Sequence, residues 1–284
     1  MNLLNGTNSK MNFELHASGY CVANASIVDP TSKYRKVKFY AVWAHIFHPL
    51  YGHILIDTGY NQQFYNTTRS FPERLYAIAT PVTVCEGETA VSILKRKNVA
   101  ASDVKYIFIT HFHADHVCGL NDFPNANFVC SREALAQVNS LSGLKAVRKG
   151  IIKKLLPDNF ASRVLVMEDI ASEFKVIEGG LLSFRFFDSD DIRFIHLGGH
   201  ARGMIGVFVN TGTNFILYAA DAQWDRAVFD AGILPKKIVK LFFDSWDDFV
   251  ATTAQLKKYL AVNPCTLLLF THCPQTLKFI GRAL

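Results

Sequence analysis

Ile107-Phe-Ile-Thr-His-Phe-His-Ala-Asp-His116 is the stretch around which this chain is organised. It reads as a short apolar strand, Tyr106 to Ile109, running into a tight polar turn. The turn carries His111, His113, Asp115 and His116. Three imidazoles and a carboxylate crowd together at a strand end only if something positive ties them, because each buried polar atom needs a partner. A metal ion supplies that partner, and neutral imidazole with carboxylate suits zinc, iron and similar first-row ions. If the turn is extended, His111, His113 and Asp115 share one side and His116 takes the other. At the rim of a sheet, that arrangement can feed two ions.

Working outward, 284 residues, half of them apolar, supply a substantial core, with Phe (23) far ahead of Trp (3). No run of 18 uncharged apolar residues occurs, so no membrane span is expected. Residues 1–12 are expected to be a loose N-terminus without a signal core. The six cysteines, Cys21, Cys85, Cys118, Cys130, Cys265 and Cys273, form no C-x-x-C pair. They read as reduced, mostly buried thiols of a cytoplasmic protein. A net charge of +6 is compatible with an anionic substrate and is too modest to argue for nucleic acid.

Strand patterns recur along the chain. Phe13 to Ile27 and Lys36 to Phe47 are rich in β-branched and aromatic residues, and Pro49 to Gly52 turns the second into His53-Ile-Leu-Ile-Asp57. Asn61 to Val84 reads as a loop or short helices near a site mouth. Glu88 to Lys97 and Ser131 to Ser140 have helical spacing. Lys145 to Leu156 is basic and amphipathic, a solvated helix face or a contact for an anionic ligand or membrane surface. Strands resume at Arg163 to Met167, Phe174 to Ile177, Leu181 to Phe187 and Ile192 to Leu197. Met204 to Val209 and Asn214 to Ala219 form a hairpin about Thr211-Gly212. Helical patterns fill Ala227 to Leu260, and Thr266 to Phe270 is a buried strand. Several strands end on a chemically capable residue: Asp57, the histidine turn, His200, Asp221 and His272. Such ends converge when the strands share a sheet edge. His16, His45, His48, His53 and His196 lack that position and are read as structural.

Thr110-His-Phe-His-Ala-Asp-His-Val-Cys-Gly119 closely resembles the H-x-H-x-D-H signature of the metallo-β-lactamase superfamily. Asp57-Thr-Gly, Gly199-His200, Ala220-Asp221 and Thr271-His272 match its remaining landmarks in order. The resemblance implies an α+β architecture, an αββα sandwich in which two mixed β-sheets face each other between flanking helices. It also implies one domain over 1–284. Carried over by position, it assigns His111, His113 and His200 to one metal. Asp115, His116 and His272 go to a second, Asp221 bridges both, and Asp57 orients the turn.

The resemblance further implies two divalent ions, zinc first with iron or manganese as alternatives, and a hydroxide held between them as nucleophile. The most similar group is the N-acyl-homoserine lactonases, so the expected substrate is a small lactone or other ester-type molecule. Asp115 would shuttle the proton to the leaving group. Lactonases of that group place a tyrosine three residues beyond the bridging aspartate. Here Trp224 stands in that position, as carbonyl donor or as a wall of an acyl pocket. A thioester hydrolase, glyoxalase-II-like or acting on an acyl carrier, is the alternative function. A nuclease is disfavoured because Asp221 and His272 lie too close in sequence for a large inserted domain, and a non-catalytic binding module because every ligand position is filled.

Overall fold

A computed structural model describes residues 11–284 of the chain. The expected loose stretch, residues 1–12, lies outside them except for its last two positions, and Asn12 already pairs with Phe47 in a sheet.

Seven strands form the first sheet: β1 (Asn12–Asn24), β2 (Lys36–His48), β3 (Gly52–Ile56), β4 (Val82–Thr83), β5 (Val104–Phe108), β6 (Asn127–Cys130) and β7 (Val164–Val166). Their order is β4-β1-β2-β3-β5-β6-β7. The β1–β2–β3 meander is antiparallel, while β3, β5, β6 and β7 run parallel. The second sheet holds β8 (Ala171–Ile177), β9 (Leu181–Phe186), β10 (Ile192–His196), β11 (Ile205–Asn210), β12 (Phe215–Tyr218) and β13 (Thr266–Leu269). It runs in the order β13-β12-β11-β10-β9-β8, with only the β12–β13 pair parallel. Both sheets are mixed, and the fold is the expected α+β sandwich.

Strand alternation explains the layering. Val42, Ala44 and Ile46 of β2 face the second sheet, where Phe194, Val207 and Ile216 complete one core. Phe108 packs on Phe186 and Phe194 with ring centroids 4.9 and 4.8 Å apart, near edge-to-face. Truncating such a buried ring costs about 3–5 kcal/mol. The intervening residues Ala41, Trp43 and Leu55 face outward under a second apolar layer that includes Leu94, Ala134 and Val138.

The helices start where a side chain can cap them. Thr89 accepts from Ser92 N, Ser131 from Ala134 N and Ser245 from Asp248 N. The 17-residue helix Trp246–Val262 also carries Asp247 and Asp248 in its first turn, where the helix dipole favours anions, and packs on β9.

Two local expectations are corrected. Lys145 to Leu156 is not one amphipathic helix: the helix Gly143–Arg148 stops, Gly150 takes φ +73°, and a single 3₁₀ turn follows at Lys153–Leu155. Left-handed backbone at Gly150 cannot continue a right-handed helix. The histidine turn is not extended throughout either. His113 is extended, but Ala114–Val117 is a helical turn, which swings Asp115 away from His111 and His113 and toward His116.

Candidate metal centre

β5 ends at Phe108, and the chain then crosses toward the second sheet. Ile109 N donates to Val129 O of β6, and Thr110 O accepts from Ile205 N of β11 at 3.0 Å. The histidine turn is thus pinned between both sheets. Asp57, at the end of β3, fixes it from below. Its carboxylate accepts from Thr110 N at 2.9 Å, Thr110 Oγ1 at 2.8 Å and His116 Nδ1 at 2.7 Å. Asp57 sits at φ +61°, and Ala220, just before Asp221, at φ +47°. Left-handed backbone at these non-glycine residues costs roughly 1–2 kcal/mol each and persists because the surroundings hold it.

His200 follows Gly199, whose φ of +117° and contact with the Phe249 backbone leave no space for a Cβ. Asp221 stands in a 3₁₀ turn after β12, and His272 in the loop after β13. Thr271 N donates to Ala220 O at 3.0 Å and ties the last two segments together.

All seven predicted donors meet. One atom each from His111, His113 and His200 lies within 4.8 Å of the others, and the same holds for Asp115, His116 and His272. Asp221 stands between the sets, with His200 Nε2 at 3.4 Å on one side and His116 Nε2 at 3.6 Å and His272 Nε2 at 3.2 Å on the other.

The outer nitrogens of three imidazoles are engaged, which directs their free nitrogens inward. His116 Nδ1 holds Asp57, His272 Nδ1 donates to Tyr40 O at 2.9 Å, and His111 Nδ1 lies 3.1 Å from Thr110 Oγ1. His111 Nε2, His116 Nε2, His200 Nδ1 and Asp221 Oδ1 are buried without a hydrogen-bond partner.

The charges are correspondingly strained. Burial works against the Asp115 carboxylate, but His116 and His272 outweigh it, and its pKa falls to about 2. Burial likewise opposes the imidazolium of His116, yet Asp57 and Asp115 raise it to about 9. Burial lowers His200 to about 3, and burial with His116 and His113 nearby holds His111 well below its ordinary value. Adjacent imidazoles with opposed proton affinities around ionised carboxylates are a group that cations would satisfy better than protons.

Trp224 lines the chamber beside the cluster, and its indole N–H donates to Asp221 Oδ2 at 3.2 Å. Its ring packs edge-on against His200 and Phe243. The chamber, about 200 Å³, is also walled by Cys21, Phe39, Tyr60 and Tyr76. Past Tyr76, Thr80 and His113 it meets an apolar cavity of about 360 Å³ lined by Leu75, Leu144, Val147 and Phe242, with Arg148 its one charged residue.

Sequence reading set Asn61 to Val84 near a site mouth and Trp224 as a candidate pocket wall, but gave no role to Tyr60, Tyr76 or Gly150. Tyr60 and Tyr76 both line the chamber, and burial holds both phenols well above pKa 10, so both stay protonated. Gly150 lies flat against the His113 ring, where a Cβ would collide, and Ile151 pairs with His113 through backbone. No local pattern marks these residues, which belong to separated loops and short helices.

A family model described as the metallo-beta-lactamase superfamily matches residues 51–233. The chain belongs to that superfamily. A probable metallo-hydrolase of Mycobacterium tuberculosis is 26% identical over 196 residues, covering 63% of this chain and 56% of that protein. The chain thus spans little more than half the length of this relative. An N-acyl homoserine lactonase of Bacillus cereus is 21% identical over 214 residues, covering 75% of this chain and 76% of the relative.

Among solved structures, an N-acyl homoserine lactone hydrolase with N-hexanoyl-L-homoserine at its catalytic metal centre superposes with TM-score 0.72 at 17% identity, covering 96% of this chain and 98% of that one. A dizinc quorum-quenching lactonase superposes with TM-score 0.63 at 17% identity, covering 93% and 88%. These likenesses concern the fold. Superfamily membership implies divalent metal ions, and the residues fit them: His111 Nε2, His116 Nε2 and Asp221 Oδ1 are buried without a partner, and the donors of each set lie within 4.8 Å of one another.

Proposed function

We propose that the chain is a dinuclear metal-dependent hydrolase of ester-type carbonyls, acting on lactones that carry an apolar acyl chain. The donor cluster carries this reading: seven side chains exceed what one four- or five-coordinate ion can use, and Asp221 touches both sets. His111, His113 and His200 would hold one ion, Asp115, His116 and His272 the other, and Asp221 would bridge. Zinc is the first candidate, iron or manganese the alternatives. When bound, the ions would activate water as a nucleophile near neutral pH and polarise the substrate carbonyl.

The chain's own groups do the rest. Asp57 orients His116, and the Tyr40 carbonyl orients His272. Trp224 steadies Asp221 and walls the chamber, since its N–H is engaged on that carboxylate. Tyr76 lines the chamber beside the cluster with its phenol held protonated by burial, so its O–H can donate to a substrate carbonyl oxygen. That hydroxyl would supply the donor lactonases draw from the position occupied here by Trp224. Asp115, turned toward His272, would carry the proton from the attacking water to the leaving oxygen.

The neighbouring cavity favours an acyl lactone over a carrier-bound thioester. Its lining is mostly apolar, and three of the four lysines of the basic segment are already engaged. Lys149 Nζ donates to Phe243 O, Lys153 Nζ to Leu141 O, and Lys154 Nζ pairs with Glu73. The test is turnover of the zinc-loaded protein on a panel of lactones and thioesters of increasing chain length. Rising kcat/KM with lactone chain length is expected. Preference for thioesters would reverse the substrate assignment, and activity in a fully metal-depleted protein would sink the mechanism.

A further inference from the structure

Away from the cleft, on the outer face of the first sheet, a second set of metal-ligating side chains converges. Glu14 and His16 lie two apart on β1, and Glu14 sits directly across from His45 on β2. Strand alternation therefore puts all three on the face that carries Trp43. One donor atom from each lies within 4.8 Å of the others, and all three residues are buried. His16 Nε2 and His45 Nδ1 have no hydrogen-bond partner, a costly state for buried ring nitrogens.

We infer that Glu14, His16 and His45 form a further divalent-cation site, of zinc type and structural in role, separate from the catalytic cluster. The donors are suitably presented. His45 Nε2 lies 2.9 Å from His53 Nδ1, and donating its N–H there leaves the Nδ1 lone pair free. Lys97 Nζ holds Glu14 Oε1 at 2.6 Å, which leaves Oε2 available 3.6 Å from His16 Nε2. That gap is too long for a hydrogen bond but close to the roughly 3.4 Å between donors sharing an ion at about 2.1 Å.

Burial lowers His16 to about 4 and His45 to about 3, so no proton competes for their nitrogens at neutral pH. A cavity of about 780 Å³ lined by His16, Lys38, Glu88 and Arg96 reaches His16 and opens an entry path to the site. The opposing factors are the Lys97 ammonium and the Arg96 guanidinium near His16, which weaken binding without blocking it.

The ion would brace the rear of the cleft. His16 precedes the register break between Ala17 and Tyr20, where Ser18 accepts from Trp43 Nε1 and from Tyr60 N, each at 2.8 Å. Tyr60 is a wall of the catalytic chamber.

The experiment is metal analysis after equilibration with zinc under one condition, with circular dichroism as the check on folding. Wild type should hold about one equivalent more than His16→Gln or His45→Gln, and zinc should raise its Tm more than theirs. Lys97→Met, by removing the neighbouring positive charge, should tighten the extra equivalent about tenfold. If either histidine variant fails to fold, Glu14→Gln reads the same difference. Equal metal content in wild type and the folded variants would overturn the site, as would weaker binding in Lys97→Met.

Discussion

The two banks of the cleft are built differently. On one, His111 to His116 come from a single turn, and His200, Asp221 and His272 each follow a strand. On the other, Tyr60, Tyr76, Gly150, Trp224 and Phe242 come from loops and short helices with no shared pattern. The first bank can be read from order along the chain because a strand end fixes where its next residue goes. The second exists only after the sandwich closes and brings the helices Arg74–Ala79 and Gly143–Arg148 into contact. The candidate metal donors all lie on the first bank, and the apolar lining lies on the second.

That division can be broken by substitution. The largest effect is expected on the first bank. Asp221→Ala removes the carboxylate between the two donor sets, so metal analysis should find at least one ion lost and turnover should fall below about 1% of wild type. Full metal content with normal turnover would refute the bridging role.

Next comes Tyr76→Phe, on the second bank. It removes one O–H while keeping the ring, and should lower kcat about 10²-fold at unchanged metal content. A change confined to KM would reduce Tyr76 to a wall and sharpen the contrast between the banks.

Gly150→Ala lies where the banks touch. A Cβ there must displace the His113 ring, so zinc affinity should drop about tenfold, read by competition with a chelator. Unaltered affinity would mean that the second bank has no hold on the first.

The smallest effect is expected from Trp224→Phe. It deletes the hydrogen bond to Asp221 and trims the ring while keeping an aromatic wall, and kcat should stay within about threefold, since one such bond contributes about 1 kcal/mol or less net. A loss near 10²-fold at unchanged metal content would make the indole N–H the carbonyl donor instead of Tyr76.

The corrected expectations follow the same line. Lys145 to Leu156 has helical periodicity, yet Gly150 breaks it so that the segment can seat His113, a demand made by a residue 37 positions away in the chain. The hairpins and the strand about Ile107 were legible because their patterns are local. The helical turn Ala114–Val117 was hidden because the turn's conformation is imposed from outside: Asp57 holds Thr110 and His116, and Thr58 donates to His116 O. His16 and His45, 29 positions apart, look like unrelated core histidines until the β1–β2 register brings them to one face.

By itself the sequence determined the candidate donors, because metal-type side chains recur at the ends of apolar strands, and its resemblance to the superfamily signature implied the two-sheet architecture that those strands build. Only the tertiary structure decided which imidazole nitrogens face inward and which phenols and apolar side chains border the cleft. Those depend on hydrogen bonds and packing between segments far apart in the chain, whose positions are set only once the two sheets close on each other.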